Sequence, residues 1–147
     1  MPASDGSADA LLSILHQTTV GLVRREGPDL SARQLAIFLV CYLEGEAQTV
    51  RSLAKQLNIS MPAVTRGLDR LMEFDLIRRK GNPLDRRSIL VQRTPNGHSL
   101  LRELRGILKN AAAKAQRRLP VQTAGLTSSR GTSRYTAFLP GRSLVNS

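Results

Sequence analysis

The sequence predicts a mainly α-helical fold that carries one small β-hairpin. Three observations lead there. Two short stripes of apolar residues at helical spacing meet at the turn Asn58-Ile59-Ser60. Two strand-like runs flank the turn-rich stretch Gly81-Asn82-Pro83-Leu84-Asp85. Longer helical stripes open and close the first 119 residues. In that order the elements make a winged helix-turn-helix, flanked by N- and C-terminal helices free to serve in dimerisation.

Each element has a local cause. Leu11, Leu15, Thr18 and Leu22 recur at spacings of four and three, widened by Leu12, Thr19 and Val23, with Ser7 as N-cap and Gly27-Pro28 as the stop. Ser31 caps a second helix running through Gln34 to Leu43. It is apolar nearly all round, belongs in the middle of the fold, and ends at Gly45. Thr49 caps a short helix whose inner face is Val50, Leu53, Ala54 and Leu57. Ser60 caps the next, Met61 to about Phe74, with Pro62 in the first turn and Val64, Leu68 and Leu71 as its buried stripe. Asp75 stands at the stop, where Asp tolerates a left-handed backbone. Leu76–Lys80 and Ser88–Arg93 are the expected strands. Thr94-Pro95 then opens a long helix with Leu101, Leu104, Leu108, Ala111 and Ala115 on one seam. Run to Leu119, it has about 25 residues and a length of roughly 37 Å.

The chain of 147 residues suits one compact domain. Its expected parts are an N-terminal dimerisation helix (1–28), the DNA-binding winged helix-turn-helix (29–94), a C-terminal dimerisation helix (95–119) and an atypical, disordered tail (120–147). That tail is rich in Ser, Thr and Gly, carries only Arg as charge and shows no sustained period. Aromatics make up 3% of the chain, so one copy's core is modest and partner helices would help complete it.

The formal charge is +11, unevenly spread. Residues 1–50 carry −3, residues 51–93 carry +6 and residues 94–119 carry +5. A basic middle behind an acidic start points to a polyanion engaged by a defined region. Cys41 is the only cysteine, which excludes an intrachain disulfide. Acids stand where a signal peptide has positive charge, and the longest apolar run, Leu35 to Leu43, is too short to span a bilayer. A cytoplasmic protein with no membrane partner is expected.

The buried stripe of the second short helix leaves Met61, Pro62, Thr65, Arg66, Asp69 and Arg70 facing out. Such a helix fits the major groove and presents its first two turns to base edges. Arg66 is the candidate for bidentate recognition of guanine. Ser60 and Thr65 suit phosphate or base contacts, Met61 a thymine methyl, and Arg70 completes the basic face. On the hairpin, Arg78, Arg79 and Lys80 on one arm and Arg86 and Arg87 near the turn suit phosphate.

The stretch Leu30 to Leu108, including SMPAVTRGLDRL at residues 60–71, resembles the MarR family of bacterial transcription regulators. The wing DRRSILV at residues 85–91, followed by Thr94-Pro95-Asn96-Gly97, is similar to that family's Asp-x-Arg wing running into its dimerisation helix. The resemblance implies a sequence-specific double-stranded DNA-binding regulator, a repressor, acting as a homodimer on a pseudo-palindromic operator. It implies Arg87 entering the minor groove with Asp85 orienting it. An effector, small and often aromatic or phenolic, is also implied between the dimer helices and the reading head, and by rough position alone His16, Cys41 and Tyr42 come near such a site. Three positions depart from the pattern. Gly67 sits mid-helix, which costs about 1 kcal/mol of propensity against Ala. Arg93 stands where a Leu packs beneath the wing, and residues 120–147 do not resemble the family's further apolar helix, so an altered C-terminus is expected.

Other chemistry finds little support. There is no Gly-rich phosphate loop, no paired carboxylates in a plausible pocket and no Ser/His/Asp arrangement, so no enzyme, catalytic residue or cofactor is expected. His16 and His98 lack metal-ligand spacing, and no metal is expected. Cys41 lies in an apolar helix away from basic residues in sequence, which favours inert packing over redox sensing. The remaining alternative is a winged-helix module that binds protein or RNA and has lost operator binding.

Overall fold

The computed structural model describes residues 5–128. Helix α1 (Asp5–Arg24) is followed by α2 (Ala32–Leu43), α3 (Val50–Leu57) and α4 (Met61–Glu73). The antiparallel hairpin of β1 (Ile77–Asn82) and β2 (Asp85–Arg93) comes next, then the long α5 (Pro95–Ser128).

The starts of α2 to α5 form where the sequence places them. Ser31 and Thr49 each cap in a reciprocal box, with Gln34 and Ser52. The Ser60 Oγ accepts from Ala63 N at 3.3 Å, and the Thr94 Oγ1 accepts from Gly97 N at 2.9 Å. Asn58 and Asp75, at φ 51° and 54°, are left-handed. After Asp75 the amide of Leu76 bonds back to Leu71 O and that of Asp75 to Met72 O, the two bonds of a Schellman stop.

The structure moves several boundaries. Helix α1 begins at Asp5, so Ser7 lies within its first turn and does not cap it. Because the Leu76 N–H is consumed by α4, the first strand starts one residue later than expected. At the other end the hairpin is longer, and the turn shrinks to Pro83-Leu84. Side chains make this possible: Asn82 Oδ1 accepts from Leu84 N at 3.0 Å, and Asn82 Nδ2 donates to Ser88 Oγ at 2.8 Å. The loop before α3 adds a third edge to the hairpin, through Val91 N to Gln48 O at 2.8 Å and the bridge Thr49–Leu90. Helix α5 continues past Leu119 to Ser128, so the first part of the expected tail is helical. Propagation adds one bond per residue once a helix is formed, which lets it run on without apolar periodicity. The rest of that tail lies outside the described residues.

The core sits in the winged-helix unit. Ile37 and Phe38 of α2, Leu53 of α3, Val64, Leu68 and Leu71 of α4, and Ile77 of β1 are essentially sealed from water. Each large side chain so buried contributes about 1.5–3 kcal/mol of transfer free energy. Gly67 is part of this packing: a β-carbon there would press on Ile37, so glycine lets α4 close on α2. Gly97 is tighter still, since a β-carbon would fall on the Tyr42 hydroxyl and the Leu76 carbonyl. That hydroxyl donates to Leu76 O at 2.6 Å and accepts from Thr94 N at 3.0 Å. Thr94 Oγ1 donates to Asp75 O and Asn96 Nδ2 to Phe74 O. Through these bonds the start of α5 is fixed to the end of α4.

Outside that unit, α1 lies antiparallel along α5. Gly21 meets Ile107, and Arg25 pairs with Glu103 at 3.2 Å. The contact does not use all of the expected α1 stripe. Thr18 and Leu22 are half-buried, whereas Leu11, Leu12, Leu15 and Val23 are between 61% and 75% exposed.

Candidate nucleic-acid interface

The amphipathic pattern of α4 sorts its residues cleanly. Ala63, Val64, Gly67, Leu68 and Leu71 face the core, which leaves Ser60, Met61, Pro62, Arg66, Asp69 and Arg70 in solvent and Thr65 half-buried. Arg66 is exposed and has no ion-pair partner among the described residues. Arg70 is engaged locally: its guanidinium lies 2.6 Å from Glu73 Oε2 and 4.5 Å from the Phe74 ring centre. It therefore belongs to the rear of α4, while Ser60 to Arg66 form the leading turns.

The expected wing residues divide in the same way. Arg79 is not a free wing cation, for it pairs with Asp69 of α4 at 2.6 Å and is partly covered. That bond ties the base of the hairpin to the helix beside it. Arg78 leans on Asp75 at 3.4 Å. Lys80, Arg86 and Arg87 are exposed and unpaired among the described residues. Asp85 does hold Arg87, but by the main chain: its Oδ1 accepts from Arg87 N at 3.0 Å, and it makes no ion pair with the Arg87 guanidinium. The carboxylate thus fixes the backbone from which the Arg87 side chain projects. Leu84 at the turn is 95% exposed.

Two arginines gain roles that the sequence reading missed. Arg93 Nε donates to Cys41 O at 2.8 Å and Nη2 to Glu44 O at 2.6 Å, so its guanidinium caps the C-terminal carbonyls of α2. The position tolerates Arg in place of Leu because the guanidinium finds acceptors there and lies 5.8 Å from the Tyr42 ring centre. Arg33, in the first turn of α2, lines a cleft of about 380 Å³ with Arg66, Gln34 and Gly67. Only the α2–α4 packing brings these two arginines together.

Cys41 and Tyr42 are core residues and do not share a cleft with His16. Burial pushes the Cys41 thiol up to about 12, with Arg93 opposing weakly, so the thiolate is strongly disfavoured. Tyr42 packs on Phe38 and meets His98 edge-on. Among the described residues no group of His, Cys, Asp or Glu is placed to hold a metal ion, and no helix is long and apolar enough to cross a membrane.

With two short helices, a basic hairpin and the long helix in place, comparison with known proteins is decisive. Residues 30–89 match the family model described as the MarR family. The match runs from α2 into the wing, where the sequence of this chain resembles that family of transcription regulators. Its fold is shared with RV1404 from Mycobacterium tuberculosis, at 21% identity, 96% coverage of this chain, 97% of that one and a TM-score of 0.66. A mutant of MarR from E. coli is similar at 22% identity, 86% and 92% coverage, and 0.63. BpsR of Bordetella bronchiseptica, whose DNA binding is regulated by 6-hydroxynicotinic acid, is 25% identical over 74% of this chain and 83% of its own, with a TM-score of 0.50. No curated protein matches the chain.

Proposed function

We propose that this chain is a MarR-family transcription regulator, a repressor that binds a pseudo-palindromic operator as a homodimer in the cytoplasm. The observation that carries the reading is the division of its arginines. Arg79 and Arg70 are spent on internal pairs, whereas Arg66 on α4 and Arg86 and Arg87 at the wing tip project from the unit with no ion-pair partner among the described residues. Helix α4 enters the major groove with Ser60, Met61, Pro62 and Thr65 at the leading end and Arg66 on a guanine edge. The wing places Arg87 in the adjacent minor groove, where a narrow groove concentrates negative potential, and Lys80 and Arg86 meet phosphates. The apolar residues that α1 leaves exposed, with Leu108 of α5, support the first and last helices as the dimer platform. Half-sites then lie roughly 34 Å apart.

A small effector that releases the DNA is part of the proposal. The regulation of BpsR by 6-hydroxynicotinic acid supports it by likeness alone. The test is selection of bound duplexes, followed by anisotropy titrations of the parent, Arg66→Ala and Arg87→Ala. Arg66→Ala should lose about 1–3 kcal/mol of base discrimination. Arg87→Ala should weaken binding and relax preference beside the half-site. Six to ten phosphate contacts would cost about three to five decades in affinity between 50 and 200 mM salt. If both variants bind like the parent and the salt response is flat, the winged helix is a protein- or RNA-binding module instead.

A further inference from the structure

The tip of the wing carries the most exposed large apolar side chain among the described residues. Leu84 is 95% exposed, ahead of Val23 at 75%. The exposed apolar residues of α1, with Leu108, belong to the proposed dimer platform, and Met61 to the leading end of α4. Leu84 belongs to neither. Strand β1 carries it roughly 17 Å beyond the sealed Ile77, out of reach of the core.

A single apolar residue on a surface is ordinary. This one is held in place. The turn consists of Pro83 and Leu84 alone, and proline fixes its own φ. Asn82 Oδ1 accepts from the Leu84 amide at 3.0 Å, and Asn82 Nδ2 donates to Ser88 Oγ at 2.8 Å. On the other flank Asp85 Oδ1 accepts from the Arg87 amide at 3.0 Å. A tip braced on both sides has little freedom left to lose when it meets a partner. Around it stand Lys80, Arg86 and Arg87, exposed and with no ion-pair partner among the described residues. The Arg79–Asp69 pair fixes the base of the hairpin against α4, so wing and helix engage one surface as a unit.

Three cations around one leucine match a surface that is anionic at its rim and apolar within. The minor groove of duplex DNA has that make-up, with phosphates along its edges and stacked base pairs beneath. At about 6 Å across, it admits one side chain and not a whole hairpin. We propose that Leu84 is an apolar wedge that enters the minor groove beside each half-site and partly unstacks one base-pair step. Pyrimidine–purine steps unstack most easily, so Leu84 sets a preference for such a step next to the base pairs that Arg87 meets. The wedge rests on the regulator reading above and extends it, because Leu84 selects sequence by deformability with no hydrogen bond to a base.

The full chain and its Leu84→Ser and Leu84→Met variants are compared on duplexes selected with the parent. Both substitutions fall at an open position and should leave the urea transition unchanged. Leu84→Ser should bind about fivefold more weakly or worse, and Leu84→Met within about twofold of the parent. Neither removes a charge, so both should keep the parent's salt slope, whereas Arg87→Ala should lower it by about one per wing. 2-Aminopurine at the step beneath the wing should brighten with the parent and with Leu84→Met, and stay quenched with Leu84→Ser. Selection with Leu84→Ser should lose the pyrimidine–purine step and keep the half-site read by α4. Parent-like affinity of Leu84→Ser, or a 2-aminopurine signal that the parent does not change, would overturn the wedge. The losses expected of Arg66→Ala and Arg87→Ala would then leave the regulator standing. Leu84-dependent self-association without DNA, or Leu84-dependent binding to phosphatidylglycerol vesicles, would also overturn it by assigning the tip to a second copy or a membrane. A parent that binds no duplex at all would remove the regulator reading itself, and the wedge with it.

Discussion

The winged-helix unit and the α1–α5 platform are built to different standards of completeness. In the former, Ile37, Phe38, Leu53, Val64, Leu68 and Leu71 are sealed, every helix start from α2 to α4 carries a side-chain cap, and Arg93 satisfies the last carbonyls of α2. In the latter, one face of α1 packs on α5 through Gly21 and Ile107 while four large apolar side chains stand in water. A unit that closes its own core can hold recognition residues at fixed angles without help. A helix pair that leaves apolar residues uncovered is stable only to the degree that something else covers them. The division suits the proposed dimeric regulator, which would present a rigid surface and set its spacing from a second copy.

Perturbing each region sharpens the contrast. The largest effect is expected in the head. Phe38→Ala should remove about 3–5 kcal/mol of unfolding free energy, measured by urea denaturation, because a sealed aromatic leaves a cavity. A loss under about 1 kcal/mol would mean that the unit is less self-sufficient than its burial suggests. Next, Leu12→Glu with Leu15→Glu should convert a dimer to a monomer in sedimentation velocity and weaken operator binding at least tenfold. The urea transition of the head should move little, since both positions are already exposed. Retention of the dimer would relocate the interface away from α1. The smallest effect belongs to the junction of β2 with α2 inside the head. Arg93→Ala removes two bonds to α2 carbonyls at a partly exposed site and should cost about 1 kcal/mol in the same urea assay.

Much of the interface was readable because its causes are local. A cap joins residues three apart, as Ser31 with Gln34, Thr49 with Ser52 and Ser60 with Ala63. The stop at Asp75 depends on one residue's tolerance of a left-handed backbone. These interactions are written in adjacent letters, and the outward face of α4 follows from helical period alone. The hairpin was legible as two strands and a turn, but its length was not. Its ends were decided by an amide already bonded to Leu71 and by Asn82 bonding across the turn to Ser88.

The sequence by itself determined the order of elements, the starts of α2 to α5, the outward residues of α4 and the concentration of positive charge behind residue 50. Tertiary structure decided which charges remain available. Arg79 resembled a wing cation until the fold set it against Asp69, ten residues back. Arg93 resembled a misplaced polar residue until Cys41 O, 52 residues away, accepted from it. Gly67 looked like a weak point in its helix and is a close approach to Ile37, and Gly97 is a close approach to Tyr42. The physical reason is common to all four. Periodicity and propensity act within a few residues, whereas pairing and steric fit depend on which distant elements the core brings into contact.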